Sequence, residues 1–422
     1  METKRTVVMV VTLDTKAAAA EYLRDEIASW GLNTILIDPG ILGRPGIPAD
    51  VTREQVAEAA GTTLEALVRA GQKGAAIAKQ TEGLINIVRR LHAEGRMDGI
   101  VGLGGGQGTS IVSAAMRALP VGVPKLLLST VATGTFQFGS YVGIKDLAMM
   151  HSVTDILDVN AISRPILRNT ANAIAGMALR GPAPQQPEKP TIAITQLGQT
   201  TACVMRVKSL LEPQGYQLVP FHASGAGGPA MESLVEAGKF IGVIDLSVHE
   251  IMDHLLAGIA GAPNRLDVLT RCKIPAVVVP GGNDYVLFES QQKAPEKYRQ
   301  RRMMVHNAQM TCFLPTLDEM REGARYMIDR LNRALGPTLV AVPSVGFTES
   351  NKPGNDLWFP EGNQVVIDEF RAGLQPEVPL IVLDVHINHP AFADLIADAM
   401  GRLLKGEAPA TIAARHQAAR TT

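Results

Sequence analysis

The residues with the plainest chemical meaning are Gly102, Gly104, Gly105, Gly106 and Gly108, five glycines in seven positions. Gln107 lies among them, and Thr109 and Ser110 follow directly. The run comes after an apolar, strand-like stretch and precedes a segment whose buried face would carry Ile111, Ala115, Met116 and Leu119. Such a turn leaves backbone N–H groups uncovered at the start of a helix, and Thr109 or Ser110 is placed to cap it. Free amides at the positive end of a helix dipole bind anions, phosphate above all. The run lacks the Gly-Lys-Ser/Thr that closes a Walker A loop. It is not a dinucleotide fingerprint either, because its glycines do not give GxGxxG at the first strand. A phosphate site at Gly102 to Ser110 is expected.

In an open α/β sheet the ligand lies beyond the carboxyl ends of the strands, near the point where strand order reverses. Three other loops expected on that edge carry suitable groups. Thr12, Asp14, Thr15 and Lys16 follow the first strand, with Lys16 available to a phosphate and Asp14 to a metal or hydroxyl. Asp38 ends the second strand, where a carboxylate typically meets a ribose. Ser129, Thr130, Thr133 and Gly134 follow the fourth and supply small hydroxyls. Together these residues point to a phosphorylated ligand, with a nucleotide expected. No separate protein metal site is expected.

The second half holds another candidate set. His222 and Asp284 follow strand-like runs beside glycines, and His306 and His386 end two further apolar stretches. If these loops converge, a histidine acts as acid or base near neutral pH with Asp284 orienting it. If they do not, each histidine is a hydrogen-bonded loop residue, and the spacing leaves both readings open. The run His249-Glu250-Ile251-Met252-Asp253-His254 sets its histidines five apart, off a common helical face, so it reads as a polar helix start and not as a zinc motif.

These loops need a scaffold, and the chain alternates strand and helix patterns to supply one. Strands are expected at 6–13, 33–37, 99–103 and 124–129, then at 191–195, 217–221, 241–246, 276–279, 339–342 and 379–385. Helical periodicity falls between them, as in Ala20, Leu23 and Ile27 or Leu84, Ile87, Val88 and Leu91. Thr52 and Gln55 form a capping box. This alternation specifies an α/β protein with two Rossmann-like, doubly wound parallel-sheet domains. The Pro-rich segment 181–190 is the expected linker between a nucleotide-binding domain at 1–180 and a second domain at 191–422.

Composition bounds the function. Forty basic against forty-one acidic residues give a net charge of −1, without the basic excess of a general nucleic-acid binder, so no nucleic-acid partner is expected. No apolar stretch is long enough to span a membrane. Cys203, Cys272 and Cys312 form no CxxC pair and fit a reducing, cytoplasmic setting, with Cys203 and Cys312 expected to be buried.

Several of these segments resemble a known family. Thr12 to Lys16, Gly102 to Ser110, Pro124 to Gly134, Tyr141-Val142-Gly143 and Asp158 to Arg164 are similar to the ATP-binding domain family of the tomato mosaic virus resistance protein and its uncharacterised bacterial relatives. Beyond the linker, Phe221-His222-Ala223 with Gly225, Gly227 and Gly228, then His306-Asn307 and His386-Ile387-Asn388, extend the resemblance over nearly the whole chain. It implies two Rossmann-like subdomains, ATP bound with Mg2+, and a homodimer. The expected function is therefore Mg-nucleotide binding at the Gly102 to Ser110 loop, with hydrolysis left open. The alternative is a metabolic enzyme acting on a phosphorylated or carboxylated small molecule at a cleft between the domains.

Overall fold

The computed structural model describes residues 4–133, 139–181 and 189–418. Gly134 and most of the expected linker, 182–188, lie outside the described residues. The chain divides into two compact units, Met1–Gln185 and Gln186–Thr422.

The first unit is built on five parallel strands: β1 (Thr6–Val11), β2 (Asn33–Ile37), β3 (Gly99–Gly104), β4 (Lys125–Ser129) and β5 (Ala148–His151). Their order is β2-β1-β3-β4-β5. Side chains alternate across a strand, so Val7, Met9 and Val11 enter one core while Val8 and Val10 enter the other. Helices Ala17–Ser29 and Ser163–Arg180 cover the first face, and Lys73–Ala93 and Gly106–Arg117 the second. Each fully buried Val or Leu contributes roughly 1.5–3 kcal/mol, which is why these continuous apolar runs become central strands. The Thr52–Gln55 capping box forms as expected. Strand β5 was not expected. It is a four-residue edge strand, half-buried and too short for a periodic signal.

The second unit carries β6 (Thr191–Gln196), β7 (Gln217–His222), β8 (Gly242–Ser247), β9 (Ala276–Gly281), β10 (Val286–Phe288), β11 (Met303–Asn307), β12 (Met310–Phe313), β13 (Thr338–Pro343) and β14 (Leu380–Leu383). Six of them form a parallel sheet in the order β14-β13-β9-β8-β6-β7. Strands β10, β12 and β11 make a small antiparallel sheet that the strand–helix alternation did not foretell. The first strands of the two units follow one plan. In each, the opening strand lies between the second and the third, so strand order reverses at β1/β3 and again at β6/β8. Cys203 and Cys312 are buried, as expected. Among the described residues no helix is long and apolar enough to cross a membrane.

Candidate functional site: an open switch point in the first unit

A cavity of about 570 Å³ opens where strand order reverses between β1 and β3. The turn after β1 supplies Thr12, Asp14, Thr15 and Lys16 to its wall, and the turn after β3 supplies Gly105, Gly106, Gln107 and Gly108. Of the expected site residues, these are the ones the fold brings together. A far wall comes from Gly40, Ile41 and Leu42 after β2, then from Leu67, Val68, Gly71, Gln72, Lys73 and Ala76. Leu42 and Val68 are 66 % and 45 % exposed, so one side of the cavity is an apolar lip. Nothing in the local pattern around Leu67 or Lys73 signals this role, which arises from tertiary placement alone.

Three helices start at this cavity: Ala17–Ser29, Lys73–Ala93 and Gly106–Arg117. None has a side-chain cap, and none has an acidic residue in its first turn. Elsewhere Thr52, Thr63 and Thr316 cap helices that do carry acidic first turns. The first N–H groups of a helix have no intrahelical partner, and the dipole adds partial positive charge at that end. The site therefore gathers unspent donors. Lys16 adds a full charge: it is only 8 % exposed, its Nζ lies 3.4 Å from Thr15 Oγ1, and among the described residues no carboxylate pairs with it. Lys73 lines the opposite side, and Asp14, exposed, brings a carboxylate.

The glycines divide by reason. A Cβ on Gly102 would strike Val112, and one on Gly104 would strike the Thr109 backbone, so packing of the helix on β3 requires both. Gly106 faces open space, and a Cβ on Gly105 would meet only Thr130 Oγ1 at 3.8 Å. Their backbone φ is not left-handed, so neither packing nor conformation demands glycine there. Thr109 and Ser110 do not cap this helix, contrary to expectation. Gly105 is the N-cap; the Thr109 hydroxyl is buried 2.6 Å from Ser129 Oγ, and Ser110 donates to the Gly106 carbonyl at 3.2 Å. Ser129 also accepts from the Val131 N–H, while the Thr130 N–H donates to the Gly104 carbonyl. Thr133 stands in the same loop, partly buried.

Asp38 is placed differently from a ribose-binding carboxylate. It is buried, and its Oδ2 accepts from Arg53 Nε and Nη2 at 2.9 and 2.6 Å. Its Oδ1 accepts from the N–H groups of Leu13 and Gly40. Arg53 also donates to the carbonyls of Leu42 and Gly43, and Gln80 to that of Gly40. Asp38 thus anchors the loop that forms the apolar lip, and its charge is spent on Arg53. The sequence shows Arg53 only as a helix residue, so this buried ion pair could not be read from it.

In the second unit the corresponding switch point is filled by protein. The turn after β8 holds His249 and Glu250, both buried, where the first unit has its glycine turn. Glu250 Oε1 accepts from the N–H groups of Gly225 and Gly228, so it serves the start of helix Gly227–Glu236. Its Oε2 accepts from Arg265 Nε at 2.6 Å. Arg265, fully buried, also donates to Asp245 at 2.8 and 3.0 Å and to Glu232. Burial pushes the Glu232 carboxyl up, against the pull of Arg265. His249 stacks on Tyr285 with ring centroids 4.1 Å apart, and its Nδ1 lies 3.1 Å from the Gly282 carbonyl. Burial draws the His249 pKa down, but the neighbouring Asp253 more than offsets this, so the imidazole is raised. The polar helix start read from the sequence is therefore a sealed network.

The four second-unit candidates do not form one acid–base group. Asp284 and His386 both reach Thr348: the Thr348 hydroxyl donates to Asp284 Oδ2 at 2.9 Å, and His386 Nε2 donates to the Thr348 carbonyl at 2.8 Å. His386 Nδ1 accepts the Asn388 N–H at 3.2 Å, which holds the ring in its neutral Nε2–H form. Burial lowers its pKa accordingly. Asp284 also accepts from Asn351, and its Oδ1 is buried without a hydrogen bond. Burial pushes its pKa up to about 6. His222 and His306 are exposed, at the end of β7 and on β11.

Fold and site define a two-unit parallel α/β protein with an open, glycine-turned switch-point pocket in the first unit. Residues 5–182 match the Uncharacterised protein family (UPF0261) N-terminal domain and residues 189–404 its C-terminal domain, and the chain belongs to this family. A UPF0261 protein of Clostridium tetani is 36 % identical over 394 residues, 93 % of this chain and 97 % of that protein. UPF0261 protein mlr3387 of Mesorhizobium japonicum is 35 % identical over 92 % of this chain and 97 % of its own length. The ToMV resistance protein Tm-1(GCR237) of Solanum lycopersicum is 35 % identical over 77 % of this chain, but the match spans 44 % of that longer protein. Among solved structures, Acinetobacter baumannii MurG aligns over 99 % of this chain and all of that chain at 11 % identity and a TM-score of 0.22, too slight to carry an argument.

Proposed function

We propose that the first unit binds a phosphorylated ligand, Mg-ATP or a related nucleotide, with its phosphates on the Gly105 to Gly108 turn and Lys16. One observation carries this reading: three uncapped helix N-termini and a buried lysine without a carboxylate partner meet at one cavity. A hydrogen bond to a charged group contributes about 1.5–3 kcal/mol, so a few such amides and one ammonium supply micromolar binding. The apolar lip of Ile41, Leu42, Leu67 and Val68 suits the less polar body of a nucleotide. Asp14 is positioned to receive the magnesium that accompanies the phosphates. ATP and Mg2+ are also what the sequence resemblance implies.

Gly106→Val tests the reading, because a Cβ there meets no protein atom and Gly106 lines the cavity. Calorimetry with Mg-ATP is expected to show saturable heat for the wild type and at least a tenfold weaker affinity for the variant. No heat from the wild type overturns the proposal. In the second unit, by contrast, His386 has both ring nitrogens engaged, and Asp284 is enclosed by Thr348 and Asn351.

A further inference from the structure

The cavity wall beyond β2 has its hydrogen-bonding groups satisfied from behind. Gly40 donates its N–H to Asp38 Oδ1 at 2.9 Å, and its carbonyl accepts from Gln80 Nε2 at 3.0 Å. Arg53 Nη1 donates to the carbonyls of Leu42 and Gly43 at 2.7 and 3.0 Å. Asp38 has both oxygens engaged, Oδ1 by the N–H groups of Leu13 and Gly40 and Oδ2 by Arg53. Asp38, Arg53 and Gln80 are all buried, and none of the three lines the cavity.

What the wall presents is aliphatic: Ile41 and Leu42 from one segment, Leu67 and Val68 from another. The N–H groups of Leu67, Gly71 and Ala76 on this wall donate to the carbonyls of Thr63, Val68 and Gln72. Among the described residues, the polar side chains lining this wall are Gln72 and Lys73, and both are exposed. A site that reads a base edge or a sugar hydroxyl does so with buried donors and acceptors, and it rejects an analogue because those groups would be left unpaired. An aliphatic wall has nothing to leave unpaired, and every base offers it a flat face. An exposed amide such as that of Gln72 exchanges water for the base at little net gain.

From this arrangement we propose that the cavity takes nucleoside triphosphates as a class. The triphosphate fixes the ligand, and the lip of Leu42 and Val68 holds the base by its faces, reading neither its edge nor the ribose 2′-hydroxyl. This rests on the phosphate reading above and sets how wide its ligand class is.

The test titrates the full chain calorimetrically with Mg-ATP, Mg-GTP, Mg-2′-deoxy-ATP and magnesium tripolyphosphate. The three nucleotides are expected to bind within about fivefold of one another, and tripolyphosphate at least tenfold more weakly. Leu42→Ser with Val68→Ser, two exposed side chains, is expected to weaken all three nucleotides alike and to leave tripolyphosphate unchanged. A preference above tenfold for one base, or for the 2′-hydroxyl, overturns the inference. Tripolyphosphate binding as tightly as Mg-ATP overturns it too, because the lip then holds nothing. Either result leaves the phosphate reading standing, whereas no binding by any of the four defeats that reading itself.

Discussion

The two units share one strand plan and treat its switch point in opposite ways. In the first, the turn after β3 is glycine with open space beyond it, and the adjoining helix starts are left uncapped. In the second, the turn after β8 carries His249 and Glu250, and Glu250 spends its carboxylate on the Gly225 and Gly228 amides and on Arg265. The same strand plan therefore surrounds an open cavity in one unit and a buried ionic network in the other, according to whether the protein supplies its own anion. A helix start that lacks both cap and first-turn acid leaves its first N–H groups to water or to a ligand. The first unit has three such starts around one cavity.

Arg265→Met attacks the sealed side and carries the largest expected effect. It leaves Asp245, Glu232 and Glu250 buried together without their cation, and breaking such a network typically costs about 3–5 kcal/mol. Urea unfolding in a Trp30→Phe background, where Trp358 reports the second unit, is expected to show this loss. An unchanged midpoint would mean the network does not hold the second switch point closed.

Asp284 tests how dry that side is. Its carboxyl is raised to about 6 by burial. The folded state therefore holds the proton more tightly than the unfolded chain, and stability falls as pH rises from about 4 through 6. Linkage puts the fall at about 3 kcal/mol. Asp284→Asn removes the titration, so its unfolding free energy is expected to lose that pH dependence. A wild-type second unit equally stable at pH 4 and pH 7 would contradict a dry, enclosed carboxyl.

On the open side, Lys16→Met is expected to weaken Mg-ATP about tenfold, or roughly 1.4 kcal/mol, through loss of one charge-assisted contact. Its folding is expected to be unimpaired, since no carboxylate loses a partner. If affinity is unchanged while folding is intact, the buried ammonium is not part of the phosphate cradle.

Legibility in the sequence followed the range of the interactions. Strands such as β1, β3 and β9 were readable because burial on both faces demands an unbroken apolar run. The edge strand β5 and the small sheet β10–β12 were not, since three to five residues that depend on distant partners leave no period. The glycine turn and Lys16 were visible as residue types. The far wall of Leu67, Val68 and Lys73 was not, because it is brought there by the packing of two helices. Asp38 and Glu250 show the same limit: each is a carboxylate whose arginine, Arg53 or Arg265, becomes its partner only in the fold. Thr109 was expected to face the helix start and instead turned inward to Ser129, across a strand the local sequence does not contain.

The central claim is that the first switch point is open because a phosphorylated ligand completes it. Calorimetric titration of Mg-ATP into wild type and Gly106→Val tests this most directly. Saturable binding by the wild type, weakened at least tenfold in a variant that unfolds at the same urea concentration, is the predicted result. No heat from the wild type, or equal affinity in both, would contradict it.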